Sequence, residues 1–279
     1  MILVTGATGN VGRRVVERLV AAGHGVRAVT RDPSRANLPA AVEAAAADLA
    51  DPETLRPHLD GVRAVFLIWP FVDPAAAAQL APRVVDVLTG AGSPRVVYVS
   101  AASAETDPDS FWAVMERAIT ASGLPWTMLR PTGIATNTLG WAAPIRAEGV
   151  VRWPYGAAAR SMVHEDDIAA VAVEALTSDR HDKQTYVLSG PETVTQAEQV
   201  RIIGEVIGRD LHWQDVPAEA VRTMLAEEMG SPAFADAALA TWAALVETPE
   251  QVTGDVAAVL GRPARTFAQW AADHAADFA

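Results

Sequence analysis

The sequence predicts a doubly wound α/β fold: a parallel sheet with helices on both faces, then a smaller and mostly helical region. Three observations lead to it. Strand-like apolar runs alternate with helical patterns from residue 1 to about residue 131. Several runs, such as Ala64-Val65-Phe66-Leu67-Ile68-Trp69, are apolar throughout, as parallel strands buried on both faces are. The first run opens through a glycine-rich turn directly into an amphipathic helix.

That turn organises the chain. Met1-Ile2-Leu3-Val4 leads into Thr5-Gly6-Ala7-Thr8-Gly9-Asn10-Val11-Gly12. A helical stripe of Val11, Val15, Val16, Leu19 and Val20 follows, and Gly23 stops it. Strand, glycine turn and helix in this order form the layout that binds a dinucleotide diphosphate in a Rossmann-type sheet. Gly6 supplies the sharp turn, Gly9 lets phosphates approach the backbone, and Gly12 lets the helix pack closely on the strand. Free N–H groups at the helix start then face the anion. The candidate diphosphate-binding residues are Gly6, Thr8, Gly9, Asn10, Val11 and Gly12.

The second strand, Gly25–Thr30, ends at Arg31-Asp32-Pro33, beside the expected adenosine ribose. The guanidinium of Arg31 suits a 2′-phosphate, which favours NADP(H) over NAD(H). Asp32 before Pro33 reads as a helix cap, and Arg35 is a further phosphate candidate. A weak strand over Val42–Ala47 ends at Asp48-Leu49, placed against the adenine. Asp48 either accepts from the adenine amino group or caps a turn. Asp51-Pro52-Glu53 opens a short helix with Asp51 as cap. The fourth strand ends at Trp69-Pro70, and Asp73-Pro74 starts a helix in which Pro82 marks a kink or restart. Arg95–Ser100 is the fifth strand, Ser110–Ser122 a helix, and Trp126–Pro131 the sixth strand.

Beyond Pro131 the rhythm loosens. Short strands are expected at Val150–Trp153 and Ser161–Val163, and a helix capped by Asp167 runs through Leu176. Thr185–Ser189 is a strand returning to the main sheet, and Thr195-Gln196-Ala197-Glu198 is a capping box. The chain is mostly helical from Pro217, with Trp242 and Trp270 on apolar stripes as core residues. The expected division is a cofactor-binding core over residues 1–131 and a substrate-binding region over 132–279.

Composition narrows the functions. The 279 residues carry a net charge of −12, which disfavours nucleic acid and anionic membrane as partners. There is no cysteine, so disulfides, thiolate metal sites and a cysteine nucleophile are excluded. No apolar stretch reaches the ~18 residues a membrane span needs, and the N-terminus lacks a signal-peptide pattern. A cytoplasmic protein acting on a small molecule is expected, with oligomeric state left open. No metal constellation is evident: His164, Glu165, Asp166 and Asp167 are consecutive, which scatters their side chains.

Together these motifs resemble the NmrA-like atypical short-chain dehydrogenases, which include quinone reductases, a triphenylmethane-dye reductase and catalytically silent redox sensors. The resemblance rests on Thr5–Gly12, Arg31-Asp32-Pro33, Ser122–Pro131, Val163–Ala169 and Ser189–Glu192, and covers nearly the whole chain. It implies a Rossmann core, a small C-terminal substrate region and a preference for NADP(H). Orthodox short-chain dehydrogenases use a Tyr-x-x-x-Lys pair. Here Tyr98, Tyr155 and Tyr186 are followed four residues on by Ala102, Ala159 and Gly190, and Lys183 is the sole lysine. The lysine or histidine that often precedes the helix glutamate in the family falls at Trp112, ahead of Glu116.

Hydride delivery without a protein acid remains feasible when the acceptor stabilises the resulting charge, as quinones, conjugated enones and cationic dyes do. The candidate catalytic residues are Ser100, which ends a central strand, and Tyr155. Trp69, Ser100 and Thr132 join the cofactor set. Trp69, Trp112, Asn137, Trp141, Trp153 and Tyr155 are the substrate candidates, and His164 is a further acid candidate. The expected function is NADPH-dependent reduction of a conjugated or quinonoid molecule. The alternatives are a non-catalytic NADP(H) sensor and a tailoring isomerase or epimerase that retains its cofactor.

Overall fold

The computed structural model describes residues 1–279. The chain forms β1 (Ile2–Val4), α1 (Asn10–Ala21), β2 (Val26–Thr30), β3 (Glu43–Ala46), β4 (Ala64–Ile68), α2 (Pro74–Thr89), β5 (Arg95–Val99), α3 (Phe111–Ala121) and β6 (Trp126–Pro131). It continues with α4 (Ala142–Glu148), β7 (Val150–Trp153), β8 (Ala159–Arg160), α5 (Glu165–Thr177) and β9 (Gln184–Leu188). It ends with β10 (Val194–Thr195), α6 (Gln196–Ile207), β11 (His212–Asp215), α7 (Glu219–Met229), α8 (Pro232–Glu247), α9 (Asp255–Leu260), α10 (Phe267–Asp273) and α11 (Ala275–Phe278). No helix is long and apolar enough to cross a membrane.

Two compact units emerge. The first comprises Met1–Pro131, Glu165–Leu188 and Ala258–Gly261. Its sheet has seven parallel strands in the order β3-β2-β1-β4-β5-β6-β9. The order reverses between β1 and β4, and such a reversal opens a crevice at the strands' carboxyl ends. Right-handed crossovers put α1 on one face and α2 and α3 on the other. Accordingly α2 packs on α3, and α1 packs on α5. Arg14 and Arg18 of α1 each approach Asp166 of α5 at 3.6 Å. The strands are buried because both faces are covered: Ile2, Leu3, Phe66, Leu67 and Tyr98 lose all but about 1% of their exposure.

The second unit comprises Thr132–His164, Ser189–Ala257 and Arg262–Ala279. It holds two small sheets, β7 with β11 in parallel and β8 with β10 antiparallel. One core gathers Ile203, Phe267, Trp270 and Phe278. A second gathers Val221, Leu225, Ala235 and Leu239 from α7 and α8, with Trp153, Tyr155 and Trp242 packed against it. Trp270 is fully buried, as expected of a core residue.

Several local expectations are corrected. Pro82 neither restarts nor interrupts α2. It is exposed while its neighbours Ala81, Val84 and Val85 are buried, so the N–H it lacks is lost on the wet face. Asp51 makes no cap bond; Thr54 holds that turn instead, accepting from the Asp48 N–H at 2.9 Å. The strand expected at Ser161–Val163 lies earlier, as β8, and Val163 keeps only an isolated bridge to Ile134. Asp167 lies inside the first turn of α5, fully buried, rather than capping it. Thr195 does accept from the Glu198 N–H at 3.1 Å, but the reciprocal capping box is made by Thr266 and Gln269.

Candidate functional site

The glycine turn is built as the chemistry of its residues requires. Gly6 sits at φ +60°, and the Gly9 N–H donates to its carbonyl at 3.0 Å. A Cβ on Gly12 would stand 2.1 Å from the Gly6 oxygen, so α1 meets the turn closer than any side chain permits. Gly9 occupies the N-cap of α1, no side chain caps it, and the first turn contains no carboxylate. A helix start normally recruits Ser, Asp or Thr to satisfy its N–H groups. Here no side chain caps these donors at the positive end of the helix, and Thr8 and Asn10 are exposed beside them. Thr5, which sequence reasoning did not single out, fixes the base of the crevice. Its hydroxyl accepts from the Ile68 N–H at 2.8 Å and donates to the Phe66 carbonyl at 3.2 Å, tying the ends of β1 and β4.

Next to the turn lies a cleft of about 330 Å³ lined by Ala7, Arg13, Val16, Glu17 and the loop Ala36–Pro39. Arg31 and Arg35 are exposed in the segment after β2, and no carboxylate of the chain pairs with either. Asp32 is occupied, accepting from the Ser34 N–H at 3.1 Å and the Ser34 hydroxyl at 2.6 Å. Asp48 accepts from the Ala50 N–H at 2.9 Å, and Leu49 is half-buried beside it. Another concavity, about 260 Å³ and lined by Arg63, Arg95 and Pro125 among others, lies at the opposite, amino-terminal edge of the sheet.

Strand register defines the carboxyl edge. Leu67 pairs with Tyr98, and Tyr98 with Met128. Two residues further on, the same face presents Trp69, Ser100 and Arg130 in a row. The Ser100 N–H donates to the Leu129 carbonyl at 2.7 Å, which fixes its backbone. Its hydroxyl is buried without a hydrogen-bond partner, as are the Trp69 indole N–H and the Tyr98 hydroxyl. Unclaimed buried polar atoms are costly; of these three, Tyr98 is fully buried inside the sheet, while Trp69 and Ser100 stand at the carboxyl ends of the strands. Burial, followed by the nearby charge of Glu116, holds the Tyr98 phenol far above the usual tyrosine range, so it stays protonated. Arg130 grips Glu116 of α3 through two bonds of 3.0 and 2.8 Å, which raises the arginine's pKa further. Trp112 is half-buried on α3, its ring 4.0 Å from that of Phe111.

The remaining candidates belong to the second unit. The Thr132 hydroxyl donates to the Ser161 carbonyl at 2.7 Å. Asn137 is exposed on a 3₁₀ turn. Trp141 is in the core, edge-on to Trp213 at 5.3 Å, and Trp153 lies 5.7 Å from Trp242. Tyr155 is half-buried at φ +62°. His164 is buried, its Nε2 3.3 Å from Asp273. No three His, Asp or Glu side chains are grouped to hold a metal.

Residues 6–179 match the NAD(P)H-binding family. The chain is 39% identical to the (4-alkanoyl-5-oxo-2,5-dihydrofuran-3-yl)methyl phosphate reductase of Streptomyces griseus, covering 100% of this chain and 99% of that one. It is 34% identical to the NAD(P)H azoreductase of Xenophilus azovorans, again covering 100% and 99%. The crystal structure of the Citrobacter sp. triphenylmethane reductase with NADP(H) shares the fold, with a TM-score of 0.83 at 24% identity over 99% of this chain and 100% of the other. Fold, glycine turn and full-length relatives agree: the chain belongs to the NAD(P)H-binding family and is a reductase of the atypical short-chain dehydrogenase type.

Proposed function

We propose that this protein is an NADPH-dependent reductase of a conjugated carbonyl acceptor, an acyl-butenolide or a quinone-like ring. The observation that carries the reading is the Ser100 hydroxyl: buried, unpartnered and at the end of a central strand beside the crevice. Three features support NADPH over NADH. Arg31 and Arg35 have no carboxylate partner, Asp32 is engaged by Ser34, and Arg13 lines the adjoining cleft. The absence of Tyr-x-x-x-Lys supports an acceptor that does not need a strong protein acid.

NADPH, when bound, supplies the hydride. The acceptor class is suggested by the Streptomyces griseus relative, whose named substrate has a ring C=C with two carbonyls on one of its carbons. Hydride addition at the β-carbon sends the C=C electron pair to the α-carbon and onto a carbonyl oxygen. Ser100 donates a hydrogen bond to that oxygen as its charge develops, and water protonates the α-carbon. Trp69 and Trp112 give the site aromatic surface and restrict water around it.

The test is an NADPH-oxidation screen with a 3-acylbutenolide, a benzoquinone and a simple ketone. Turnover is expected with the first two and not the third. Ser100→Ala is expected to lower kcat by about a hundredfold. Tight NADPH binding with no turnover of any acceptor contradicts the proposal.

A further inference from the structure

The concavity of about 260 Å³ at the amino-terminal edge of the sheet is lined by two arginines that the cofactor crevice does not use. Arg63 stands directly before β4 and Arg95 opens β5, and the Arg95 N–H donates to the Arg63 carbonyl at 3.0 Å. Pro125, just before β6, and Leu176 of α5 add apolar surface. All these residues belong to the first unit. The crevice lies at the other ends of the same strands, about 16 Å away along strands of five residues.

The two arginines are not equally satisfied. A terminal nitrogen of Arg95 pairs with Asp179, whose side chain is 96% exposed, so water weakens the pair. The Arg95 Nε bonds nothing in the chain. Arg63 is exposed, and its hydrogen bond runs to His24 Nδ1 at 3.2 Å, an acceptor without negative charge. In a chain of net charge −12 a carboxylate partner is easily supplied, yet Arg63 has none.

The balance of charge selects the ligand. Asp179 already answers Arg95, and α5 ends at Thr177 on the rim of the concavity, where a helix carries partial negative charge. Both repel a second negative charge. One guanidinium, that of Arg63, remains, and its planar fork matches a single carboxylate. The volume lies below the roughly 300–1,000 Å³ of drug-sized sites, which limits the ligand to a small body. We propose that this concavity is a second binding site, for a small monocarboxylate whose carboxylate is held by Arg63 and whose apolar body lies against Pro125 and Leu176. It is separate from the cofactor crevice and does not rest on the identity of the acceptor.

Saturation-transfer NMR with benzoate on the NADPH-saturated protein tests the site, since the bound cofactor then occupies the anion-binding crevice. Saturable binding is expected with a Kd of about 1 mM, the range of one charge-assisted bond and a small apolar contact. Arg63→Gln, an exposed substitution, is expected to raise this Kd about tenfold and to leave NADPH oxidation unchanged. Asp179→Asn is expected to lower it about threefold, because the carboxylate that competes for Arg95 is gone. Benzamide, with the same ring and no charge, is expected not to bind, and the dianion phthalate to bind more weakly than benzoate. Wild-type affinity in Arg63→Gln, an unchanged or weaker affinity in Asp179→Asn, benzamide binding as well as benzoate, or phthalate binding more tightly overturns the proposal.

Discussion

Gly12 has the least freedom of any residue in the crevice. Its missing Cβ would fall 2.1 Å from the Gly6 oxygen and 2.7 Å from the Gly6 carbonyl carbon, both backbone atoms that cannot rotate away. Gly12→Ala is therefore expected to displace α1 from the turn, costing about 2–3 kcal/mol of stability. NADPH affinity is expected to fall with it; calorimetric titration and a denaturant melt check the two effects. Arg31 makes a different prediction, since nothing in the fold depends on it. Arg31→Ala is expected to weaken NADPH binding by about tenfold or more, the value of a charge-assisted bond, and NADH binding hardly at all. Equal effects on both cofactors contradict the 2′-phosphate assignment. Both residues were legible in the sequence because their meaning is local: a glycine spacing, and an arginine at a strand end. Thr5 and the Arg130–Glu116 pair were not. Their partners lie 61 to 63 residues away for Thr5 and 14 for Arg130; the pairing of β1 with β4 brings the first together, and the packing of α3 on β6 the second.

Element by element, the strands were read from apolar runs and the parallel sheet followed from their alternation with helices. What escaped the sequence was competition inside elements. Pro82 signals a break, yet the buried stripe of Ala81, Val84, Val85 and Leu88 carries α2 through it. Asp167 looks like a cap, yet α5 begins at Glu165 and buries Asp167 in its first turn. The return segment from α5 to β9 carries an element-scale prediction. His181, on the 3₁₀ turn between them, is buried and bonded to Tyr186. Burial first, and then the charge of Arg180, push its pKa below the usual histidine value. The folded state thus binds a proton less readily than the unfolded chain. Stability is full above about pH 6.5 and falls as the pH drops through that value toward the lowered native one. His181→Gln is expected to flatten this acid limb, as measured by melting temperature against pH; an unchanged slope contradicts the assignment.

The molecule has a nucleotide-binding unit built on a seven-stranded parallel sheet and a second unit rich in tryptophan. The −12 net charge makes the unpaired arginines near the glycine turn stand out. An acidic surface repels anionic cofactors in general, so on the proposed reading the exposed Arg31 and Arg35 supply the local attraction. The second unit was the least legible part of the sequence. Its strands have two to four residues each, and its Tyr155 turn is imposed by Gln196 and Asp215, distant residues that no periodicity reveals. The central claim is that a cofactor anchored at the start of α1 passes hydride directly to a conjugated carbon, with Ser100 steadying the adjoining oxygen. Mass spectrometry of the product formed from a 3-acylbutenolide and NADPH deuterated at the transferable nicotinamide position tests it most directly. One deuterium bound to the ring β-carbon is the expected result; a product that carries none, or whose label lies at the α-carbon, contradicts it.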